Sequence, residues 1–188
     1  MSEDVRVKAK GILFDMDGVL VSSIGSVVRC WRQWAEHYEV PNAEIYEVPH
    51  GMRAIEIVKA LLESLPVERW AIVTSATRRL LLGRLKAAGL PIPERIISAD
   101  MVERGKPDPE PYRRGAELLG LRPEDCLVVE DAPSGVGAGL AAGSRVLGVV
   151  GTHTAEDLDG AEWIVGSLEG VKVTVVAEGL ELRFTPLA

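Results

Sequence analysis

The stretch Gly11-Ile-Leu-Phe-Asp-Met-Asp-Gly-Val-Leu-Val-Ser-Ser23 joins a short apolar run to two carboxylates, Asp15 and Asp17. A run of this length that is apolar on both faces is typical of a strand in a buried parallel sheet. Two ionised carboxylates repel each other, so the pair belongs either to an acidic turn or to a cation site. The remainder of the chain has to distinguish these alternatives.

Further short apolar runs alternate with amphipathic helical patterns along most of the chain. This alternation predicts an α/β fold, a doubly wound (Rossmann-like) parallel sheet with helices on both faces. The C-terminal segment 171–184 predicts a hairpin around Glu178-Gly179 at a sheet edge. The predicted strands cover residues 11–15, 70–74, 95–98, 126–130 and 145–150, and the predicted helices 76–89 and 109–120 end on glycines.

One region interrupts the alternation between strands and helices. Residues 22–59 have the pattern of a helix, a proline-containing loop and a second helix, with no strand between them. We expect a small, truncated helical cap here, inserted after the first strand, with residues 1–21 and 60–188 forming the core domain. The alternative is a long connection lying on one face of the sheet.

Composition excludes some classes of function. The chain of 188 residues has a formal net charge of −7, which argues against nucleic-acid binding because no basic face is available for phosphates. The N-terminus lacks a signal-like apolar core, and no segment has the roughly 20 continuous apolar residues of a membrane span. We expect a soluble cytoplasmic protein, a monomer or weak dimer, without a membrane or nucleic-acid partner.

Polar residues follow the carboxyl ends of four predicted strands, where ligands bind in doubly wound sheets. They are Asp15 and Asp17, Ser75 beside Thr74, Lys106, and Glu130 with Asp131. The acidic residues suit Mg²⁺, the lysine and serine suit phosphate oxygens, and an aspartate beside a cation can attack phosphorus. A second carboxylate, Asp17, can act as general acid and then as general base.

Each residue also has a structural alternative. Ser75 could cap the helix that starts near residue 77, and Glu130-Asp131 could cap the next helix. Lys106, in a loop rich in proline, could be a solvated surface lysine. The order of four strand ends with four compatible chemistries favours a joint site.

The segments FDMDGVL, VTSAT, GKPDPEPY and VVEDAPSGVGAGLAAG resemble the four motifs of the haloacid dehalogenase-like hydrolases, in the branch of β-phosphoglucomutases and small sugar or polyol phosphatases. The resemblance covers residues 8–153. It implies Asp15 as nucleophile and metal ligand, and Asp17 as general acid/base with its backbone carbonyl on the metal. It further implies Ser75 and Lys106 as phosphate ligands and Glu130 and Asp131 as the remaining Mg²⁺ ligands.

The sequence departs from the family pattern in the cap, about half of which is missing. Arg53 stands where relatives direct a cap loop at the substrate, so it either contacts substrate phosphate or is a solvated helix arginine. Ser22 replaces a common aspartate. Val27 occupies the place of a histidine of the mutases, which weighs against a mutase.

We therefore predict a Mg²⁺-dependent phosphatase of small phosphorylated metabolites, sugar or polyol phosphates, that acts through an aspartyl-phosphate intermediate. The alternatives are a phosphosugar mutase of the β-phosphoglucomutase type and a catalytically impaired relative with a decayed cap. A dehalogenase has no evident use for Asp17 and a metal site. A receiver-type signalling domain has a different order of motifs in a shorter chain.

Overall fold

The computed structural model of the protein describes residues 4–21 and 52–187. Among these residues the predicted strands and helices are present, and two further strands, β1 and β7, accompany them. The strands are β1 (Val5–Ala9), β2 (Gly11–Phe14), β3 (Trp70–Val73), β4 (Ile96–Ile97), β5 (Cys126–Glu130), β6 (Arg145–Val149), β7 (Trp163–Val165), β8 (Lys172–Val176) and β9 (Gly179–Phe184). The helices are α1 (Met52–Ser64), α2 (Arg78–Ala88), α3 (Glu110–Leu118) and α4 (Pro133–Ala142).

Six strands form one parallel sheet in the order β4-β3-β2-β5-β6-β7. From β2 the chain moves outward through β3 to β4, then returns to the other side of β2 and continues through β5, β6 and β7. The direction of winding therefore changes between β2 and β5, and this topological switch point is where such sheets bind ligands. The predicted doubly wound parallel sheet is confirmed.

Alternating side chains of the central strands pack into two separate apolar cores, one on each face of the sheet. On one face, Ile12 and Phe14 of β2 contribute to a core with residues of α1 and α2. On the other face, Leu13 packs in a core that includes Tyr112 of α3 and Val136 of α4. Both faces of the strands are thus buried, which explains why their sequences are apolar without alternation.

The C-terminal hairpin is present as predicted, with β8 as an edge strand, but it belongs to a second sheet. Strands β8 and β9 do pair around Glu178-Gly179, but β9 also pairs antiparallel with β1, so the three strands form a second sheet in the order β1-β9-β8. The hairpin is therefore not an edge of the main sheet. Its inward side chains, such as Leu182, instead join the apolar core on the α1 and α2 face.

The N-terminal part of the expected cap, residues 22–51, lies outside the described residues, and with it Ser22 and Val27. The expected boundary at residues 59 and 60 falls inside α1, which packs on the core through Val58 and Leu62 on either side of it. Within residues 4–21 and 52–187, no helix combines the length and the apolar character that crossing a membrane requires.

Candidate active site

A cleft opens at the carboxyl ends of β2, β3 and β5, beside the topological switch point. Asp15 follows β2 directly, Glu130 ends β5, and Asp131 follows it, and all three are buried. Ser75 lies after β3 and is exposed. The cleft is lined by Asp15, Asp17, Thr74, Ser75, Lys106, Glu130, Asp131, Ala132, Ser134 and Thr152.

Lys106 joins the two halves of this cleft. Its ammonium Nζ donates to Asp15 Oδ1 at 2.6 Å, to Glu130 Oε1 at 2.6 Å and to the Val73 carbonyl at 3.0 Å. Only 4% of the lysine side chain is exposed, so it is not the solvated surface lysine that its loop alone would allow. The charges of Asp15 and Glu130 raise the Lys106 pKa, although burial, the largest single effect, acts in the opposite direction.

Tyr112 on α3 supports the same network from below the cleft. Its hydroxyl donates to Glu130 Oε1 at 2.7 Å, the oxygen that also accepts from Lys106. The lysine ammonium lies 4.8 Å from the centre of the tyrosine ring, which is within range of a cation–π contact. The other oxygen of Glu130 accepts from the backbone N–H groups of Asp131 and Ala132 at 2.9 Å and 3.2 Å. Glu130 is therefore held on both sides.

Asp131 is positioned by the loop that follows β6. The Thr152 hydroxyl donates to Asp131 Oδ2, and the Thr152 backbone N–H lies 3.4 Å from the same oxygen. The His153 ring nitrogen Nδ1 lies 3.1 Å from the Asp131 carbonyl. These contacts fix one carboxylate oxygen of Asp131.

Asp17 has a different environment from the other acidic residues. Its Oδ2 accepts from Arg84 of α2 in an ion pair that is about 30% exposed on both partners. Its other oxygen, Oδ1, is buried and has no hydrogen-bond partner among the described residues. A buried carboxylate oxygen without a hydrogen bond lowers the stability of the fold. This environment is consistent with an oxygen that forms its hydrogen bond only when a ligand is bound.

Two glycines allow this close packing of carboxylates. A Cβ on Gly18, which has φ +84°, would lie 1.8 Å from Asp131 Oδ2. A Cβ on Gly135, in the first turn of α4, would lie 1.6 Å from Glu130 Oε1. Any side chain at either position would displace a carboxylate, so these two positions require glycine.

The electrostatics of the cleft show an excess of buried negative charge. Burial raises the Asp15 pKa to about 7. The Lys106 ammonium acts to lower this pKa, and the Glu130 carboxylate acts to raise it further. Burial also raises the pKa of Asp17, against the effect of Arg84, and that of Asp131. All three raised pKa values favour the neutral acid over the carboxylate. A cation bound among these groups would lower the pKa values again.

The carboxylates fit a divalent cation. Asp15, Glu130 and Asp131 each offer an oxygen atom, and these atoms lie within 4.8 Å of one another. Mg²⁺ prefers such hard oxygen ligands together with water and substrate phosphate. The Asp17 carboxylate is bonded to Arg84, and the resemblance assigned its backbone carbonyl, not its side chain, to the metal.

The structure thus brings together six of the seven residues predicted for the site. Arg53 lies in the first turn of α1, and its side chain is outside the described residues. Sequence reasoning missed Thr152, Tyr112 and Arg84. The rule that polar residues follow strand ends, applied to β6 as well, would have found Thr152. No strand-end signal marks the two residues on helices.

Comparison with known proteins gives the family. A model of the haloacid dehalogenase-like hydrolases matches residues 42–143. The chain is 36% identical over 211 residues to hexitol phosphatase A of Escherichia coli, covering 92% of this chain and 98% of that protein. It is 29% identical over 219 residues to glycerol-1-phosphate phosphohydrolase 2 of Saccharomyces cerevisiae, covering 92% and 88%.

A solved structure agrees with these sequence matches. The crystal structure of a hydrolase of the same family from Deinococcus radiodurans, with bound phosphate and sodium, matches with a TM-score of 0.69 and 27% identity, over 85% of this chain and 91% of that chain. The alignment with hexitol phosphatase A is 211 positions long and includes 92% of the 188 residues of this chain, about 173 residues. About 38 aligned positions of hexitol phosphatase A therefore have no counterpart in this chain. The family model and the 36% identical relative together show that this chain belongs to the haloacid dehalogenase-like hydrolases.

Proposed function

We propose that the protein is a Mg²⁺-dependent phosphatase that hydrolyses sugar or polyol phosphates through a phosphoryl group carried on Asp15. The observation on which this rests is the buried cluster of Asp15, Glu130 and Asp131, in which Lys106 Nζ lies 2.6 Å from both Asp15 Oδ1 and Glu130 Oε1. Relatives named for hexitol and glycerol phosphates support the substrate class.

Asp15 is the proposed nucleophile. One of its oxygens attacks the phosphorus of the ester, a new O–P bond forms, and the bond from phosphorus to the alcohol oxygen breaks. Lys106 holds Oδ1 of this carboxylate, which restricts its rotation and orients the group for attack. The Ser75 hydroxyl, which lines the cleft, would donate to a phosphoryl oxygen.

Asp17 is the proposed general acid and base. In the first step it donates its proton to the departing alcohol oxygen. In the second it accepts a proton from the water that attacks phosphorus and releases phosphate from Asp15. The raised pKa of Asp17, which burial causes, favours the protonated form that the first step needs.

Glu130 and Asp131 would hold Mg²⁺ together with Asp15. When bound, the ion supplies positive charge that offsets the charge on the transferring phosphoryl group. Tyr112 and Lys106 hold Glu130, and Thr152 holds Asp131, so the ligand positions are set before the ion arrives. Asp17 would contribute its backbone carbonyl, as the resemblance implies.

The proposed cap is reduced, as the shorter chain relative to hexitol phosphatase A supports. Cap loops exclude water and contact the part of the substrate that leaves. A reduced cap leads us to expect modest selectivity among sugar and polyol phosphates. A preference of about a thousandfold for one substrate in a screen would contradict this expectation.

Phosphate release from a panel of polyol and hexose phosphates, measured with Mg²⁺ and with EDTA, tests the proposed function. Wild-type protein should release phosphate only with Mg²⁺, and Asp15→Asn should lose at least about 1,000-fold in kcat. Asp159→Asn, the same change at an exposed position, is the control. Full turnover by Asp15→Asn, or conversion of one hexose phosphate into another without phosphate release, would contradict the proposal.

A further inference from the structure

The loop that follows β6 contributes one hydroxyl group to the cleft, that of Thr152. Thr152 lines the cleft, and its Oγ1 donates to Asp131 Oδ2. The Thr152 backbone N–H lies 3.4 Å from the same oxygen. Both donors are thus directed to one of the two Asp131 oxygens, and a hydrogen bond to a charged group is stronger than one between neutral groups. Together they restrict the rotation of the carboxylate.

The two oxygens of Asp131 have different surroundings. A Cβ on Gly18 would lie 1.8 Å from Oδ2, and one on Gly151 would lie 3.5 Å from it, so the backbone of both glycines passes beside this oxygen. Oδ1 accepts no hydrogen bond within the described part of the chain, and it is not one of the buried polar atoms there that lack a partner. Oδ1 therefore keeps its access to the cleft.

The neighbouring histidine indicates where the hydroxyl hydrogen of Thr152 points. His153 Nδ1 lies 3.1 Å from the Asp131 backbone carbonyl and 3.0 Å from Thr152 Oγ1. A carbonyl oxygen can only accept, so Nδ1 carries the hydrogen, and Thr152 Oγ1 accepts from it. The single hydroxyl hydrogen of Thr152 is then directed to the Asp131 carboxylate.

We propose that Thr152 is a positioning residue of the metal site, which holds Asp131 Oδ2 so that Oδ1 is the oxygen that binds the divalent cation. This inference rests on the proposed function and deepens it, because it names the group that orients one ligand of the cation. Thr152 acts through Asp131 and does not itself bind the ion. Hydrogen bonds from neighbouring groups orient metal ligands in this way, and the loss of one typically weakens metal binding by about 10- to 100-fold.

The alternative is that Thr152 contacts the substrate, since it is exposed and lines the cleft. Thr152→Val removes the hydroxyl and keeps the branched shape, whereas Thr152→Ser keeps the hydroxyl. Thr154→Val is the matched control. Thr154 Oγ1 donates to Asp157 Oδ2 at 3.0 Å, so the same kind of hydrogen bond is lost at an exposed site that does not line the cleft.

Calorimetric titration of each variant with Mg²⁺, without substrate, measures the proposed effect. We expect Thr152→Val to bind Mg²⁺ about tenfold more weakly than wild type, Thr152→Ser to stay within about twofold, and Thr154→Val to be unchanged. In the hydrolysis assay, Thr152→Val should need about tenfold more Mg²⁺ for half-maximal rate and should recover kcat when Mg²⁺ is saturating. Thermal melts in EDTA should match wild type, because the exposed Thr152 side chain contributes little packing.

Three results would overturn the proposal. They are an unchanged Mg²⁺ affinity in Thr152→Val, with or without a raised KM, an equal weakening in Thr152→Val and Thr152→Ser, and a crystal structure of the Mg²⁺ complex in which the ion contacts Oδ2. If Thr152→Val melts well below wild type, Thr152→Ala, which lacks the same hydroxyl, takes its place with the same expected loss of affinity.

The titration without substrate keeps this inference separate from the proposed function. If wild-type protein binds Mg²⁺ but hydrolyses no ester, the phosphatase function fails, while the comparison of Thr152→Val with wild type still decides the role of Thr152. If hydrolysis depends on Mg²⁺ and Thr152→Val binds the ion as wild type does, only the assignment of Thr152 is wrong. If wild-type protein binds no Mg²⁺, both are wrong.

Discussion

Asp15 is the residue at which burial and negative charge conflict most strongly. It is 7% exposed and shares its surroundings with two further buried carboxylates. Burial raises its pKa to about 7, from 3.8 for the free side chain. The folded protein therefore retains a proton here that the unfolded chain loses near pH 4. Without a metal, stability falls as pH rises from about 4 to about 7, and no further above that range.

Replacing this carboxyl group with an amide should remove that pH dependence. Asp15→Asn keeps the shape of the side chain but cannot ionise, so Glu130 alone then balances Lys106. In EDTA at pH 8 we expect the variant to be more stable than wild type by about 1 to 3 kcal/mol, with a smaller difference at pH 4. Thermal melts of both proteins from pH 4 to pH 8 measure this.

A surface aspartate provides a control of opposite sign. Hydrogen bonds from Arg122 and then Lys10 lower the Asp125 pKa, so its charge stabilises the fold above pH 4. Asp125→Asn should therefore lower the melting temperature at pH 8 rather than raise it. If the difference in stability between Asp15→Asn and wild type did not increase with pH, the Asp15 carboxylate would not destabilise the fold.

The predicted residues that the structure brings together are those that follow strands. A parallel sheet places all carboxyl ends at one edge, so Asp15, Lys106 and Glu130 could be grouped without knowing any distance. Arg84 could not be grouped with them, because it bonds Asp17 from within a helix, where the sequence shows only a charged residue among apolar ones. The hydrogen bond from Lys106 to the Val73 carbonyl likewise involves a backbone group, which no side-chain pattern reveals.

At the scale of the element, α4 is the clearest case of a sequence feature explained by packing. Its glycines reduce helix propensity, yet the helix forms because their small size allows close contact with the sheet. A Cβ on Gly139 would lie 3.0 Å from Val146 Cγ2, and one on Gly135 would overlap Glu130. Gly137 differs, since a Cβ there would meet no atom within 4 Å.

This difference within one helix gives a matched pair of substitutions. Gly137→Ala should stabilise the protein by about 1 kcal/mol, because it gains helix propensity without a clash. Gly135→Ala has the same propensity gain but should destabilise the fold and weaken Mg²⁺ binding, because it displaces the Glu130 carboxylate. Urea denaturation and calorimetric titration with Mg²⁺ measure the two effects. Equal effects of the two substitutions would contradict the account of α4.

The elements that the sequence did not predict are short or depend on distant partners. β7 has three residues, Trp163–Val165. β1 contains charged residues at alternate positions, and its pairing partner, β9, lies at the far end of the chain. Apolar periodicity is a local signal, so it locates the buried central strands and does not reveal an antiparallel pair separated by most of the sequence.

At the scale of the whole molecule, the second sheet belongs to the same folding unit as the main sheet. Val7, Leu180, Leu182 and Phe184 of β1 and β9 lie in the core that also contains Ile12 and Phe14 of β2. Phe184 additionally makes an edge-to-face contact with Trp163 of β7, with ring centres 5.9 Å apart. A shared core of this kind is expected to unfold in one cooperative transition.

The substitution Leu182→Ala tests whether the two sheets unfold together. Leu182 is 1% exposed and pairs with Val7 on one side and Val173 on the other. Its truncation should cost about 3 kcal/mol and lower the melting temperature by about 10 °C, in a transition that remains single. Because the residue is remote from the cleft, kcat at 20 °C should not change.

The control is Val175→Ala on the same hairpin, at a residue that is 54% exposed. Its free energy of unfolding should stay within about 0.5 kcal/mol of wild type. If calorimetry of Leu182→Ala instead showed two separate transitions, the three-stranded sheet would be an independent unit, and its apolar face would not stabilise the sheet that positions the acidic cluster.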